Sequence, residues 1–153
     1  MKRRITPIAF TGLILLTLGT TACGQSRKVQ CQRIGQVVNA TSLQFTASRG
    51  FTTGIAAAKK AAADLNRMKL DDRKLSNLRS HMAAGFQKVE KTAEAMAEVA
   101  DAQGSVLITP QTKPISQQYT AAMQNLSKVV NASQTYCTSG TAPQELTDKA
   151  ATI

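Results

Sequence analysis

The sequence is poor in the residues that most chemical activities need. It has no Trp, one His and 9 Asp plus Glu among 153 residues, and aromatic residues make up only 4%. Metal centres and acid–base catalysts are built mainly from His, Cys and carboxylate side chains. No Cys-x-x-Cys, Glu-x-x-His or Gly-rich phosphate-loop pattern is present. We therefore expect no enzymatic activity, no metal and no cofactor, and a core built from Ala, Val, Leu, Ile and Met.

A long apolar run is also missing, but a short one stands near the start. Lys2, Arg3 and Arg4 precede an apolar stretch over 10–18, and small residues follow it up to Cys23. This order is typical of a secretory signal, and the run is shorter than the roughly 20 residues of a spanning helix. The sequence predicts a signal peptide over 1–22, with an uncleaved signal anchor as the alternative.

The residue at the predicted cleavage point indicates how the protein is anchored. Thr21-Ala22-Cys23 resembles the end of a bacterial lipobox, in which the Cys is acylated and becomes the first residue of the mature chain. Thr20 stands where that pattern usually has Leu. We expect lipidation, with palmitate or a similar acyl group on Cys23 and 23–27 as a short linker. The alternative is cleavage by ordinary signal peptidase, which would release a soluble protein.

The cysteine count agrees with this assignment. Three cysteines in an exported protein would leave one thiol unpaired, and an acylated Cys23 leaves Cys31 and Cys137 as a pair. A disulfide is expected between them in an oxidising compartment, and two buried free cysteines are the alternative.

Helical spacing of apolar residues predicts four helices, and no segment alternates as a strand would. The helices are expected over 27–48, 53–69, 71–103 and 114–137, with Ser26 and Asp71 as candidate N-caps and Gly104 as a C-cap. Val106, Leu107 and Ile108 are expected to fold over the end of the bundle. The tail, 138–153, is expected to be flexible, with a brief helical turn at 143–150.

The cysteine positions fix the number of helices. Cys31 lies at the start of the first helix and Cys137 at the end of the last. In an up-and-down bundle these points are neighbours only if the number of helices is even, and a disulfide requires a Cα separation below about 7 Å. The sequence therefore predicts an all-α, antiparallel four-helix bundle over 28–137, closed by this disulfide. The chief alternative joins the first two segments into one bent helix.

The charge is unevenly distributed along the chain. Removal of the signal peptide leaves 16 basic and 9 acidic residues, a net charge of +7. The predicted fold brings eight cations to the anchored end, and we call them the basic surface: Arg27, Lys28, Arg33, Arg67, Lys69, Arg73, Lys74 and Arg79. Basic groups near anionic lipid contribute about 1 kcal/mol each. We expect this surface to face the membrane, and a generic solvated surface is the alternative.

Four carboxylates at intervals of three or four form a predicted acidic ridge toward the opposite end. These are Glu90, Glu94, Glu98 and Asp101. Carboxylates in the last turns of a helix oppose its dipole, so the ridge is a candidate for a basic protein partner or a loose divalent cation. A solvated face that nearby cations balance is the alternative.

The stretch from Leu65 to Leu75, LNRMKLDDRKL, resembles one in small, uncharacterised helical lipoproteins of the cyanobacterial type. The resemblance implies lipidation and transfers no activity. We expect a lipid-anchored domain on the periplasmic side of the bacterial envelope, with a non-enzymatic binding or structural role and an envelope protein as candidate partner. Nucleic acid is not expected there. A periplasmic small-ligand binder is the alternative, and an apolar cavity lined by residues such as Phe45, Met82 and Phe86 would favour it.

Overall fold

The computed structural model describes residues 25–47 and 50–147, and within them the protein is all-α. The predicted signal peptide and Cys23 lie outside the described residues. The helices are α1 (Arg27–Ala47), α2 (Phe51–Arg67), α3 (Arg73–Glu98), α4 (Lys113–Ser139) and a short α5 (Gln144–Thr147). The four long helices pack as an antiparallel up-and-down bundle, so the predicted fold is confirmed.

The predicted disulfide is present between the first turns of α1 and the last turns of α4. The Cα atoms of Cys31 and Cys137 are 5.8 Å apart, and their bond closes a loop with a sequence separation of 106. It joins the first and the last of the four long helices. We call this end of the bundle, where α1 and α3 begin and α2 and α4 end, the disulfide end.

The core follows the stripe predicted for the third helix. Leu75, Leu78, Met82 and Val89 are fully buried, and their spacing keeps them on one face of α3 along most of its length. Helix α2 contributes small side chains at Ala57, Ala58, Ala61 and Ala62, all buried, and this lets α2 pack extensively on α3. At the end opposite the disulfide, the rings of Phe51 and Tyr119 meet edge to face with their centroids 5.9 Å apart.

The start of α3 differs by one residue from the prediction. Asp72, and not Asp71, is the N-cap, and its Oδ1 accepts a hydrogen bond from the amide of Leu75 at 3.0 Å. Asp71 instead accepts from the amide of Gln25. The predicted cap at Ser26 is confirmed, since its Oγ accepts from the amide of Val29 at 3.4 Å.

The end of α3 also differs from the prediction. The helix stops at Glu98, because Asp101 builds a turn: its Oδ1 accepts from the amides of Gln103 and Ser105. Gly104 has the positive φ of 76° but belongs to this turn and not to a helix cap.

The connection from α3 to α4 does not fold over the bundle end as predicted. Leu107 is 79% exposed and Ile108 is 59% exposed. Val106 is partly buried, so the expectation was wrong for Leu107 and Ile108.

Part of the predicted flexible tail packs against the bundle. Helix α4 ends at Ser139 and is capped by Gly140, whose φ of 78° is left-handed. Helix α5 follows within the predicted turn, and the side-chain amide of Asn77 on α3 donates to the carbonyl of Thr147. Leu146 contacts the core, so the described part of the tail covers one face of α3.

Candidate functional site

The first described residues are held at the corner between α2 and α3 by a buried glutamine. Gln30 is only 2% exposed, and its Oε1 accepts from the amides of Asp71 and Asp72 at 2.9 and 3.0 Å. Its Nε2 donates to the carbonyl of Gln25, whose amide donates in turn to Oδ2 of Asp71 at 2.7 Å. Because a buried amide must satisfy its polar atoms, Gln30 holds Gln25, the first described residue, at this corner.

Tyr136 connects the same corner to the end of α4. Its hydroxyl donates to Oδ2 of Asp72 at 2.9 Å, and the cations of Arg27 and Lys74 lie 5.5 and 5.9 Å from its ring centroid. Burial, followed by the hydrogen bond to Asp72, raises the pKa of Tyr136 above its ordinary value. Helices α1, α3 and α4 and the α2–α3 corner therefore meet in one polar network at the disulfide end.

The structure brings the eight residues of the basic surface to this end but gives two of them backbone partners. Nη1 of Arg33 donates to the carbonyl of Lys69 at 3.1 Å, and Nη1 of Arg79 donates to the carbonyl of Met68 at 2.8 Å. Both guanidinium groups thus satisfy carbonyls where α2 ends. The exposed members of the surface are Arg27, Lys28, Arg67, Lys69, Arg73 and Lys74.

The structure divides the acidic ridge. Oε1 of Glu90 lies 3.8 Å from Nζ of Lys59 on α2. The Asp101 carboxylate lies beyond the end of α3 and accepts a hydrogen bond from the amide of Gln103 in its own loop. Glu94 and Glu98 are exposed on the last turns of the helix. Within 25–47 and 50–147, no three His, Cys, Asp or Glu side chains are placed to hold a metal ion, so the cation hypothesis gains no support there.

An apolar groove runs between α1 and α4, and we call it the α1–α4 groove. One part, about 100 Å³, lies beside the disulfide and is lined by Gly35, Val38, Met82 and Val130 among others. The second part, about 320 Å³, shares Val38 and Val130 and continues to Phe45. Phe86 lies in its floor. These are the residues whose presence around a cavity was expected to favour ligand binding.

Gly35 gives the groove part of its width. A Cβ at this position would meet nothing within 4 Å, whereas at Gly54 it would lie 2.9 Å from Phe45 and at Gly85 3.0 Å from Leu126. Glycine inside a helix costs about 0.5–1 kcal/mol relative to Ala. Packing explains that cost at Gly54 and Gly85, but no contact within the protein explains it at Gly35.

Two sequence signals for the groove were missed. Helix α1 carries no charged residue over 34–47, although much of it is exposed. Gly35 interrupts an otherwise regular helical segment without a turn or a close helix contact. Together they indicate a partly exposed helix face that is less polar than a solvent-facing surface usually is and is not filled by the core.

Comparison of the chain with protein-family models, curated proteins and solved structures finds no match. Among the helices of the described residues, none combines the length and the apolar character needed to cross a membrane.

Proposed function

We propose that this protein is an exported, lipid-anchored helical domain of the bacterial envelope. In this proposal it faces the periplasmic side, with its disulfide end against the membrane and a non-enzymatic binding or structural role. The observation that carries the proposal is the hydrogen bond from the amide of Gln25 to Asp71, at 2.7 Å. It attaches the start of the described chain to the α2–α3 corner.

The attachment of Gln25 limits how far an acylated Cys23 can lie from the α2–α3 corner. Cys23 precedes Gln25 by two residues, which span at most about 7 Å of extended chain. An acyl group on Cys23 would therefore enter the membrane close to Lys69, Arg73 and Lys74, which are exposed beside the corner. Their attraction to anionic lipid, about 1 kcal/mol each, acts together with the anchor and orients the domain.

The opposite end supports a protein partner in the envelope. It presents the carboxylates of Glu94 and Glu98 and the exposed side chains of Leu107 and Ile108. Contiguous exposed apolar surface is typical of interaction sites, and Leu107 and Ile108 are adjacent in the sequence.

Intact mass of the protein purified from bacterial membranes tests the anchor. We expect a chain that begins at Cys23 with acyl groups attached, and two protons fewer than the reduced protein because Cys31 and Cys137 are joined. A mass without acyl groups would contradict the anchor. Membrane binding by the basic surface is tested separately, with vesicles.

Vesicle binding of the delipidated mature protein tests the orientation. We expect it to bind phosphatidylglycerol vesicles but not phosphatidylcholine vesicles, and the triple change Lys69→Glu, Arg73→Glu and Lys74→Glu should abolish binding. The matched control reverses three exposed cations away from this end, Lys88, Lys91 and Lys128, and should keep most of it. Equal losses in both variants, or no binding at moderate salt, would contradict a membrane-facing surface.

A further inference from the structure

The α1–α4 groove has the dimensions of a site for one extended apolar chain. It follows α1 from Cys31 to Phe45, and 14 residues of helix correspond to about 21 Å. Its two parts, about 100 and 320 Å³, together fall in the range of small-molecule sites. The disulfide limits it at one end, and Phe45 and Phe86 line the other.

The chemistry of the lining selects a neutral tail. No charged side chain lines either part, and the polar groups are hydroxyls and amides: Asn39, Thr41, Ser42, Ser127, Ser133 and Gln134. A charged group held along this wall would lose hydration without an opposite charge to compensate. The portion of a ligand inside the groove is therefore uncharged and apolar.

The charges around the groove select an anionic head at one end. The cations of α1 all lie in its first two turns, and Arg33 is already bonded to the carbonyl of Lys69. Arg27 and Lys28 lie one turn before Cys31. The Arg27 guanidinium lies 5.5 Å from the centroid of the Tyr136 ring on α4. An amphiphile with one apolar tail and one negative head matches this distribution.

We propose that the α1–α4 groove binds a long-chain fatty acid, with its tail along the seam and its carboxylate at the disulfide end near Arg27 and Lys28. Gly35 then has a role in ligand binding, since its missing side chain leaves room for the tail. This site goes beyond the anchored function and does not depend on acylation of Cys23.

Photo-crosslinking tests the site in the full-length protein in bacterial membranes. The probe is a 16-carbon fatty acid with a diazirine in its tail, and mass mapping identifies the labelled peptides. We expect labels on the α1 and α4 peptides that contain Val38 and Val130, and competition by palmitic acid. Labels confined to the exposed connection between α3 and α4 would overturn the proposal.

Variants that fill the groove make the test specific. Gly35→Leu has room for its Cβ, and excluding two methylenes from the groove corresponds to roughly a tenfold loss of affinity. Gln36→Leu adds the same side chain at the next, exposed position and should leave labelling unchanged. If Gly35→Leu fails to form the disulfide, Ser127→Phe narrows the groove from α4 at an exposed position and takes its place. Undiminished labelling in the folded variant would overturn the proposal.

The head group is tested by competition. Palmitic acid should displace the probe from the unchanged protein at least about tenfold better than hexadecanol, because a hydrogen bond to a charged group contributes about 1.5–3 kcal/mol. The double change Arg27→Gln and Lys28→Gln should remove that preference. Equal competition by acid and alcohol in the unchanged protein would contradict the carboxylate site.

Discussion

Helices α2 and α3 are joined along their length, whereas α1 and α4 are joined mainly at one end. Helix α2 buries small side chains such as Ala58 and Ala62 between itself and α3, together with Leu65. Helix α1 buries Gln30, Ile34 and Thr41, and the α1–α4 groove lies between it and α4 from Cys31 to Phe45. We call the contact between two neighbouring helices a seam. The α2–α3 seam depends on close packing, and the α1–α4 seam depends on attachment at the disulfide end.

This difference explains how the bundle can hold α1 firmly and still leave a groove beside it. At the disulfide end the Cys31–Cys137 bond and the hydrogen bonds of Gln30 hold α1 in register. Because these attachments lie at one end, the rest of the seam does not need to be filled by side chains. A groove can then persist in a protein whose α2–α3 core has fully buried residues throughout.

Removal of the disulfide is expected to have the largest effect on this difference. In the chain-entropy model, the double change Cys31→Ser and Cys137→Ser costs roughly 4–5 kcal/mol for a loop of this length. Amide hydrogen exchange should accelerate more in α1 than in α2 and α3. Denaturant unfolding with exchange measured by helix checks this, and equal acceleration in all helices would mean that α1 is not held mainly at its end.

A pair of truncations compares the two seams directly. Leu78→Ala in the fully buried stripe of α3 should cost about 2–5 kcal/mol of unfolding free energy. Val38→Ala should cost less than about 1 kcal/mol, because Val38 already borders the groove. Thermal and denaturant unfolding of both variants measure the contrast. Equal losses would show that the α1–α4 seam is as well packed as the core.

Replacement of the buried glutamine is expected to cost less than loss of the disulfide or of the Leu78 side chain. Gln30→Ala leaves the amides of Asp71 and Asp72 without their acceptor, which should cost about 1–3 kcal/mol. Gln32→Ala, at an exposed position of the same helix, should stay within about 0.5 kcal/mol. If the two variants unfold alike, water replaces the side chain of Gln30 and the corner does not depend on it.

The sequence predicted the parts of the fold that depend on local spacing. Apolar residues at intervals of three and four placed Leu75, Leu78 and Met82 on the buried face of α3. Two cysteines at opposite ends of the helical region required an even number of helices, and the bond is present. The positions of the basic surface followed from that topology.

The details that depend on contacts between helices could not be predicted in the same way. Asp71 and Asp72 are equally good caps by sequence, but the Asp71 carboxylate accepts from the amide of Gln25, far away in the sequence, and Asp72 caps the helix. A glutamine is usually a surface residue, so nothing local marked Gln30 as buried. The α1–α4 groove depends on how closely two helices approach, which the apolar stripes do not specify.

The Cys31–Cys137 bond also makes the bundle a closed covalent ring. A single cut in the exposed connection at Leu107 and Ile108 opens this ring without releasing either half, because α1 to α3 remain bonded to α4 through sulfur. The two fragments stay at a high effective concentration, so reassembly after unfolding remains unimolecular. A bundle closed in this way keeps its first and last long helices together after proteolytic nicking, and they separate only when the disulfide is also reduced.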